Sequence, residues 1–537
     1  MRLRGPGDPG EQIDIDRAYH DRFHPSFMPV VPLILIIVAL LVAVPVFTWF
    51  AFNLGKSVFI FGLAALPFLI LLANRPNLWM IVLASIFASN IRVLLGGTLT
   101  LFTLLCAGLT VVLLARTIIS KRTNPYGKVA RWWGFGFVVV VGMTMYMRGI
   151  GFAFLGSDQV GGMRYIVILT PLCLFILSSL LNLSRKEWQI ALYGMCVAGL
   201  FPGIAEAAFH LSDGQFYHLY YLIQPKTSLA ATIEASAAGA ELIRYKSATE
   251  TSRYILLFAL LAFPGTGRKS HLRALFVLVA LAIGGLSGHR QNMVYLLGIL
   301  LIFGFFRSPG HRMRYSIACA SLGVAGTLCL YVLAPYLPYN LQRSISWLPR
   351  IPVDHKVTLS ALGTTDWRIL VWGQGMKEIP QYFWLGKGYA YQMEVYQRLA
   401  TMERKEAFVE SAVLTVDYHN GPLGLIIGLG IFGVIAASGF FGIVAIQQSI
   451  MATGEWVEPT LERYHLALLS MYLARIPSFL IISGNVHTTF PDLFFLCILL
   501  QGIARTELRT RLEIAQKNEE RELQDAPLPG PAMPVLR

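Results

Sequence analysis

Charge is scarce in this chain. Of its 537 residues 14% are Asp, Glu, Lys or Arg and 55% are hydrophobic, against roughly 25% charged in soluble globular proteins. That shortage excludes a soluble domain and indicates an all-α polytopic membrane protein. Cysteine is also sparse: all six (Cys106, Cys173, Cys196, Cys319, Cys329 and Cys497) lie in apolar runs, so no disulfide framework is built into the polar segments. No Walker-type glycine loop occurs, and no His/Cys cluster has zinc spacing. These absences speak against ATP, against a bound metal and against any cofactor. Asp14-Ile15-Asp16 matches the metal-holding signature of nucleotide-sugar enzymes, but no Gly-rich turn or alternating strands surround it, so it reads as part of a tail.

What is present is a series of apolar runs long enough to cross a bilayer, which takes about 20 residues. The candidates are 29–51, 57–74, 77–95, 98–119, 132–147, 163–183, 188–209, 247–264, 272–287, 289–307, 314–337, 421–446, 463–483 and 487–503. That makes about fourteen spans, with twelve to fourteen compatible with the short runs. The formal charge of +14 would suggest nucleic acid in a soluble protein; here its distribution matters, because Lys and Arg are retained on the cytoplasmic side. Arg116, Lys121, Arg122, Lys128 and Arg131 form one cluster; Arg268, Lys269 and Arg273 a second; Arg307, Arg312 and Arg314 a third. All fall on one side if the spans alternate with the N-terminus inside. Residues 1–28 and 504–537 then read as cytoplasmic tails, with no signal peptide in the first and a charged helical stretch through Glu522 before a Pro-rich end in the second. The discordant segment is 447–462, an inside loop with Glu455, Glu458 and Glu462 and no basic residue.

The transmembrane helices of 29–337 and 421–503 are separated by a polar stretch, 338–420, which alternation places outside. Asp366 to Ile379 is expected to be a helix with Trp367, Leu370, Val371 and Ile379 on one face. Pro380 should end it, Gly386-Lys387-Gly388 should turn, and a second helix over roughly 391–416 should lead to Asp417-Tyr418-His419-Asn420. The insertion reads as a large helical cap over the membrane part. Ionisable groups inside spans are costly and usually face a cavity. Ser247, Thr249, Glu250, Thr251, Ser252 and Arg253 make half of one span polar, so they are expected to line a water-filled cavity on the outer side beside Arg244 and Lys246. Arg475 and Asp492 are further intramembrane charges.

His419 sits where bilayer meets water, the place for chemistry on a molecule with a lipid tail and a polar head. A neutral imidazole there can accept a hydroxyl proton, with Asp417 or another carboxylate orienting it. The competing structural reading is a helix-capping or interfacial histidine. Arg290, Arg368 and Arg244 reach the same outer boundary, where guanidinium groups bind diphosphate through paired charge-assisted bonds; individually each is also explained as a snorkelling arginine. With neither ATP nor nucleotide sugar, an extracytoplasmic transferase needs a donor already activated on a lipid diphosphate.

The succession Asp366-Trp367-Arg368, Trp372, Ile379-Pro380, Gly386-Lys387-Gly388, His419-Asn420 and Gly430-Ile431-Phe432-Gly433 resembles the O-antigen ligase and polymerase family. Ser287-Gly288-His289-Arg290 looks like that family's upstream Ser-x-(Ser/Thr)-Arg turn, and Arg244 stands where it has another arginine. The likeness covers roughly 240–440. It departs at His289, at the displaced Gly-x-Gly turn and at Gly428, where many members carry an acidic residue whose role would pass to Asp417, Asp366 or Glu410.

The resemblance implies a metal-independent, inverting membrane glycosyltransferase of the inner (cytoplasmic) membrane, in lipopolysaccharide or exopolysaccharide biosynthesis. Its donor would be a glycan on undecaprenyl diphosphate and its acceptor another glycan or lipid A core; ligases and polymerases differ in that acceptor. His419 would be the catalytic base and Arg290, Arg368 and Arg244 the diphosphate ligands, with Asn420, Asp417, Asp366, Glu250 and Arg253 in support. Inner-membrane lipids are the other partner expected, and nucleic acid is not. The rival reading is a polysaccharide flippase or secondary transporter, which predicts charges at the midplane of broken spans and short loops; here charge concentrates under one long loop. The expected orientation is testable by thiol labelling. Pro380→Cys and Lys405→Cys should react with a membrane-impermeant reagent in intact spheroplasts, and Pro125→Cys should not; labelling at 125 overturns the orientation.

Overall fold

The computed structural model describes residues 75–91, 100–120, 127–152, 158–212, 214–216, 219–220, 245–263, 269–399, 404–482 and 484–525. Arg244, the Asp14–Asp16 pair and the expected spans 29–51 and 57–74 lie outside these residues. The chain divides into two units, Met1–Trp79 and Met80–Arg537. Only 75–79 of the first are described; the helical bundle and its insertion belong to the second.

The fold is all-α, and among the described residues seven helices are long and apolar enough to cross a membrane. They are Lys128–Arg148, Met163–Leu180, Arg185–Leu211, Arg312–Tyr336, Gly421–Thr453, Pro459–Ile481 and Val486–Arg521. Helices Leu101–Ser120, Lys246–Ala262, Lys269–Leu286 and Arg290–Arg307 fill other expected spans. The apolar runs predict these positions well because a buried or lipid-facing helix must be apolar along its length. The charged helical stretch expected through Glu522 is also present: the last helix runs on to Asp525, since nothing in its charged extension opposes helix.

Segments expected on one side of the membrane meet one another. At one end Arg185 pairs with Glu458 at 2.9 Å, Trp188 Nε1 donates to Thr506 Oγ1 at 2.9 Å, and Glu507 accepts from the Val457 N–H at 2.7 Å. The acidic 447–462 loop is thereby accounted for, since Glu458 is a counter-ion. At the other end Gln159–Val160 pairs antiparallel with Tyr391–Gln392, Ser344 Oγ donates to the Gly285 carbonyl at 2.6 Å, and the His419 N–H donates to Asn485 Oδ1 at 3.1 Å. Alternating spans require this sorting.

The polar half of Lys246–Ala262 differs from expectation. Thr251 Oγ1 donates to the Gly199 carbonyl at 3.1 Å and accepts from the Gly203 N–H at 3.0 Å. The Ser247 N–H donates to Glu206 at 3.0 Å. These groups seam the helix to Phe201–Leu211 rather than line an open cavity. Farther along, Arg253 pairs with Glu250 at 3.0 Å and Arg475 with Asp492 at 2.7 Å, and both guanidinium groups lie over the Tyr295 ring at 5.0 and 5.6 Å. Paired in this way, the intramembrane charges hold four helices together. Removing one member of such a buried pair leaves the other uncompensated, at about 3–5 kcal/mol.

The 338–420 insertion begins with a small apolar cluster shared with the end of the preceding span, Ala334, Ile345 and Ile351 with Leu330, Leu337 and Val353. Its main helix is His355–Tyr382, longer than the expected 366–379. Asp354 caps it by accepting from the Lys356 N–H at 2.8 Å, and Val357, Ala361, Val371 and Gly375 form its buried face. Leu370, expected on one face with Val371, is exposed while Val371 is buried. Pro380 sits within the last turn instead of ending the helix. The expected 391–416 helix is two pieces, Met393–Arg398 and Arg404–Leu414.

From the second piece the chain drops beside Gly421–Thr453, which is broken at Gly430 (φ 69°, ψ −174°). The break frees backbone groups, and the insertion takes them up. The Ile431 N–H donates to the Phe383 carbonyl at 2.7 Å, the Lys387 N–H to the Ile427 carbonyl at 2.6 Å, and the Gly388 N–H to the Gly428 carbonyl at 3.0 Å. Glycine is required at both faces of this contact. A Cβ at Gly386 (φ 69°) would lie 2.5 Å from the Gly428 carbonyl oxygen, and one at Gly430 2.2 Å from that of Trp384. Gly386→Ala and Gly430→Ala should therefore lower the thermal unfolding midpoint in detergent. The backbone strain alone is about 1–2 kcal/mol. Gly442→Ala, where a Cβ meets open space, should leave the midpoint in place; equal midpoints for all three would refute the docking account.

Candidate active site

The segment Asp417–Asn420 crosses from the insertion into the broken helix, and its backbone is tightly held. Asn420 is the helix cap, its Oδ1 accepting from the Leu423 N–H at 3.0 Å. The capping role weighed for His419 thus falls to its neighbour. Val416 (φ 55°) and His419 (φ 50°) are left-handed, a conformation that costs a non-glycine residue stability and persists only where the surroundings impose it. Trp372 Nε1 donates to the Tyr418 carbonyl at 2.8 Å. The Tyr418 hydroxyl donates to Glu378 at 2.7 Å, and Glu378 pairs with Lys387 at 2.8 Å. Gly375 makes room for the Tyr418 ring.

His419, held this way, lies edge-on to Trp367, ring centroids 5.3 Å apart, and its Nε2 is 3.9 Å from Asp417 Oδ1. Burial pushes its pKa below the ordinary value; the Arg368 charge lowers it further, and Asp417 opposes both. The imidazole is therefore neutral at pH 7 and able to accept a proton. Burial also lowers the pKa of Arg368, and so does the neighbouring Arg290 charge, which places the two guanidinium groups within electrostatic reach. Arg290 opens its helix after a turn built on Gly288 (φ 70°), and its Nη2 donates to the Ala361 carbonyl of the insertion helix at 3.5 Å. Two cations and a neutral imidazole, drawn from three segments far apart in sequence, share one end of the bundle.

The other candidates separate. Asp417 adjoins His419. Asp366 is exposed, as is Glu410. Glu250 and Arg253 are engaged with each other and with Asp492 inside the bundle, so they do not supply the expected outer cavity. At Gly428, where an acidic residue was expected from the resemblance, the Tyr389 hydroxyl fills the space: a Cβ there would lie 2.9 Å from it. Sequence reading missed the Lys387–Glu378–Tyr418 chain behind His419. It also missed Arg343, buried with its Nη2 3.3 Å from Thr364 Oγ1, and His487 on the last helix. None of these belongs to a short motif, and each acquires its neighbours only through tertiary contact.

The O-antigen ligase family matches residues 274–438, from within the Lys269–Leu286 helix to the middle of Gly421–Thr453. Those residues are similar to the O-antigen ligase family, and Arg290, Arg368 and His419 all fall among them. For the matched region that family implies a membrane glycosyltransferase-like ligase. Among curated proteins none matches the chain.

The electrostatics give a signed prediction. A neutral base works above its pKa, so activity should fall as pH drops through a value below the ordinary histidine range near ~6.5. Asp417→Asn removes the one group that raises that pKa, and the acid limb of kcat/KM should shift to lower pH. An acid limb that moves upward, or does not move, would detach Asp417 from His419.

Proposed function

We propose that the protein transfers a glycan from a polyprenyl-diphosphate carrier, undecaprenyl diphosphate in bacteria, to a hydroxyl group on the periplasmic face of the inner membrane. The observation that carries this reading is the convergence of Arg290, Arg368 and the neutral His419 at the insertion, at the end of the bundle away from the basic clusters. In the reaction the acceptor oxygen attacks the anomeric carbon and its proton passes to His419. The carbon–oxygen bond to the diphosphate breaks, and the carrier diphosphate leaves with the electron pair between Arg290 and Arg368. One displacement at one carbon gives inversion. Preorganised charge at a leaving group is worth most in a site closed to bulk water, and both arginines are partly buried where the insertion helix meets the bundle. Lipid A core and a second lipid-linked glycan are the acceptor classes that fit. The intramembrane charges, which a transporter would use for its cargo, are already paired with one another.

The test is transfer of glycan from purified undecaprenyl-diphosphate-linked donor in liposomes without ATP; translocation without transfer would establish a transporter instead. Arg368→Ala and Arg290→Ala should each lose about 10²–10³ in rate, with Lys restoring only part because it lacks the bidentate fork. His419→Gln should lose roughly 10²–10⁴ while donor binding survives. A His419→Gln enzyme with near-normal transfer and an unchanged acid limb would remove the base assignment.

A further inference from the structure

Around His419 and His487 the structure leaves several polar side-chain atoms buried and without a hydrogen-bond partner among the described residues. They are Arg164 Nη1, Trp367 Nε1, Asp417 Oδ1 and His487 Nδ1. Buried polar groups are nearly always paired, and each exception calls for an explanation. These four come from four separate segments. Arg164 lies in the first turn of Met163–Leu177 and His487 in the first turn of Val486–Asp525. Asn485, two residues before His487, holds the His419 backbone. His487 feels the charges of Arg164, Asp417 and His419 together, while Asp417 Oδ1 lies 3.9 Å from His419 Nε2 and the Trp367 ring 5.3 Å from the imidazole. Tyr165, next to Arg164, braces it: its hydroxyl accepts from the Tyr389 N–H at 2.9 Å.

The donor and acceptor inventory decides what this cluster can hold. Arg164 and Trp367 only donate, Asp417 only accepts, and His487 does either according to its tautomer. A phosphate, which only accepts, would face the Asp417 carboxylate at close quarters. A sugar hydroxyl both donates and accepts, and a sugar ring also presents an apolar face to an indole such as Trp367. Arg164 and His487 both lie outside the residues 274–438 matched by the family, so nothing carries a role for them from that match.

We propose that Arg164, His487, Asp417 and Trp367 form a subsite for a sugar residue of the acceptor, bound through its hydroxyl groups with the attacking oxygen turned to His419. This rests on the glycosyl-transfer reading above. It divides the site into a cationic part for the leaving diphosphate (Arg290, Arg368) and a mixed part for the acceptor, with His419 common to both. Asp417 then has two partners, the His419 imidazole and an acceptor hydroxyl. Losing a charged hydrogen bond to bound sugar should appear in the acceptor's KM and not in the donor's.

The experiment uses the full chain in detergent, with an oligosaccharide on undecaprenyl diphosphate as donor. Purified lipid A core and a second undecaprenyl-diphosphate-linked oligosaccharide serve as acceptors in separate arms. Arg164→Gln should raise the KM for the acceptor that is used by about 10–100-fold, the range for a hydrogen bond to a charged group, and His487→Gln by about 2–10-fold, the range for a neutral one. The donor KM should stay within about twofold, as expected when only acceptor contacts are removed. Should Arg164→Gln not fold, Arg164→Lys carries the test: it keeps the charge, loses the fork, and should still raise the acceptor KM with an unshifted unfolding midpoint. A donor KM that rises in step would make Arg164 a diphosphate ligand and overturn the subsite, and so would unchanged values for both substrates. Wild-type protein that transfers to neither acceptor would defeat the glycosyl-transfer reading itself, and the subsite with it. Normal transfer by all variants would defeat the subsite alone.

Discussion

The structure depends on a break in one transmembrane helix and on what repairs it. Within a bilayer every backbone N–H and C=O needs a partner inside the protein. The turn at Gly430 removes partners from Ile431 on one side and from Ile427 and Gly428 on the other. Phe383, Lys387 and Gly388 supply them, so a piece of the insertion is as firmly bound to the bundle as a strand in a sheet. The break lies roughly 14 Å along the helix from Gly421, at 1.5 Å per residue. The insertion is therefore anchored within the helix layer and is more than a cover laid over it.

From that anchor the site can be followed outward. Lys387 donates its backbone N–H to the broken helix and its side chain to Glu378. Glu378 holds the Tyr418 hydroxyl, and Trp372 holds the Tyr418 carbonyl. The next residue is His419, in a backbone conformation that such clamping makes tolerable. Arg148 adds a second tie, its Nε donating to the Gly386 carbonyl at 2.8 Å. Preorganisation of this kind matters for the proposed transfer, because its rate must come from groups already placed where charge develops.

How much of this was legible in the sequence varies with the kind of signal. The spans were legible because lipid demands uninterrupted apolar runs. Gly386, Gly388 and Gly430 were legible as a turn and a glycine-rich helix, but not as partners, since close backbone approach leaves no pattern except the missing side chains. Arg290, Arg368 and His419 were singled out as candidates through the order of short motifs along the chain. The role of Asn420 as cap, the engagement of Glu250 and Arg253 with Asp492, and the bringing of Arg164, Asp417 and His419 within electrostatic reach of His487 were not legible. Each depends on which helices become neighbours, and hydrophobic periodicity does not encode that. The polar half of Lys246–Ala262 shows the difficulty well. Its residues require something other than lipid, and both a water-filled cavity and the flank of Phe201–Leu211 meet that requirement.

The placement of charge completes the argument. Inside the bundle Glu250 faces Arg253 and Asp492 faces Arg475, and the four neutralise one another around Tyr295. At the end of the bundle Arg290 stands close enough to Arg368 for its charge to lower the Arg368 pKa. Two like charges held near each other in partly buried surroundings raise the energy of the resting protein, and an anion between them relieves it. In the proposed reaction a diphosphate gives that relief for as long as the carrier is bound. The same electrostatics then favour the diphosphate as leaving group, because negative charge grows on it as the bond to the sugar breaks. The repulsion between two arginines in the resting protein and the stabilisation of the departing carrier are one interaction seen at two stages of the reaction.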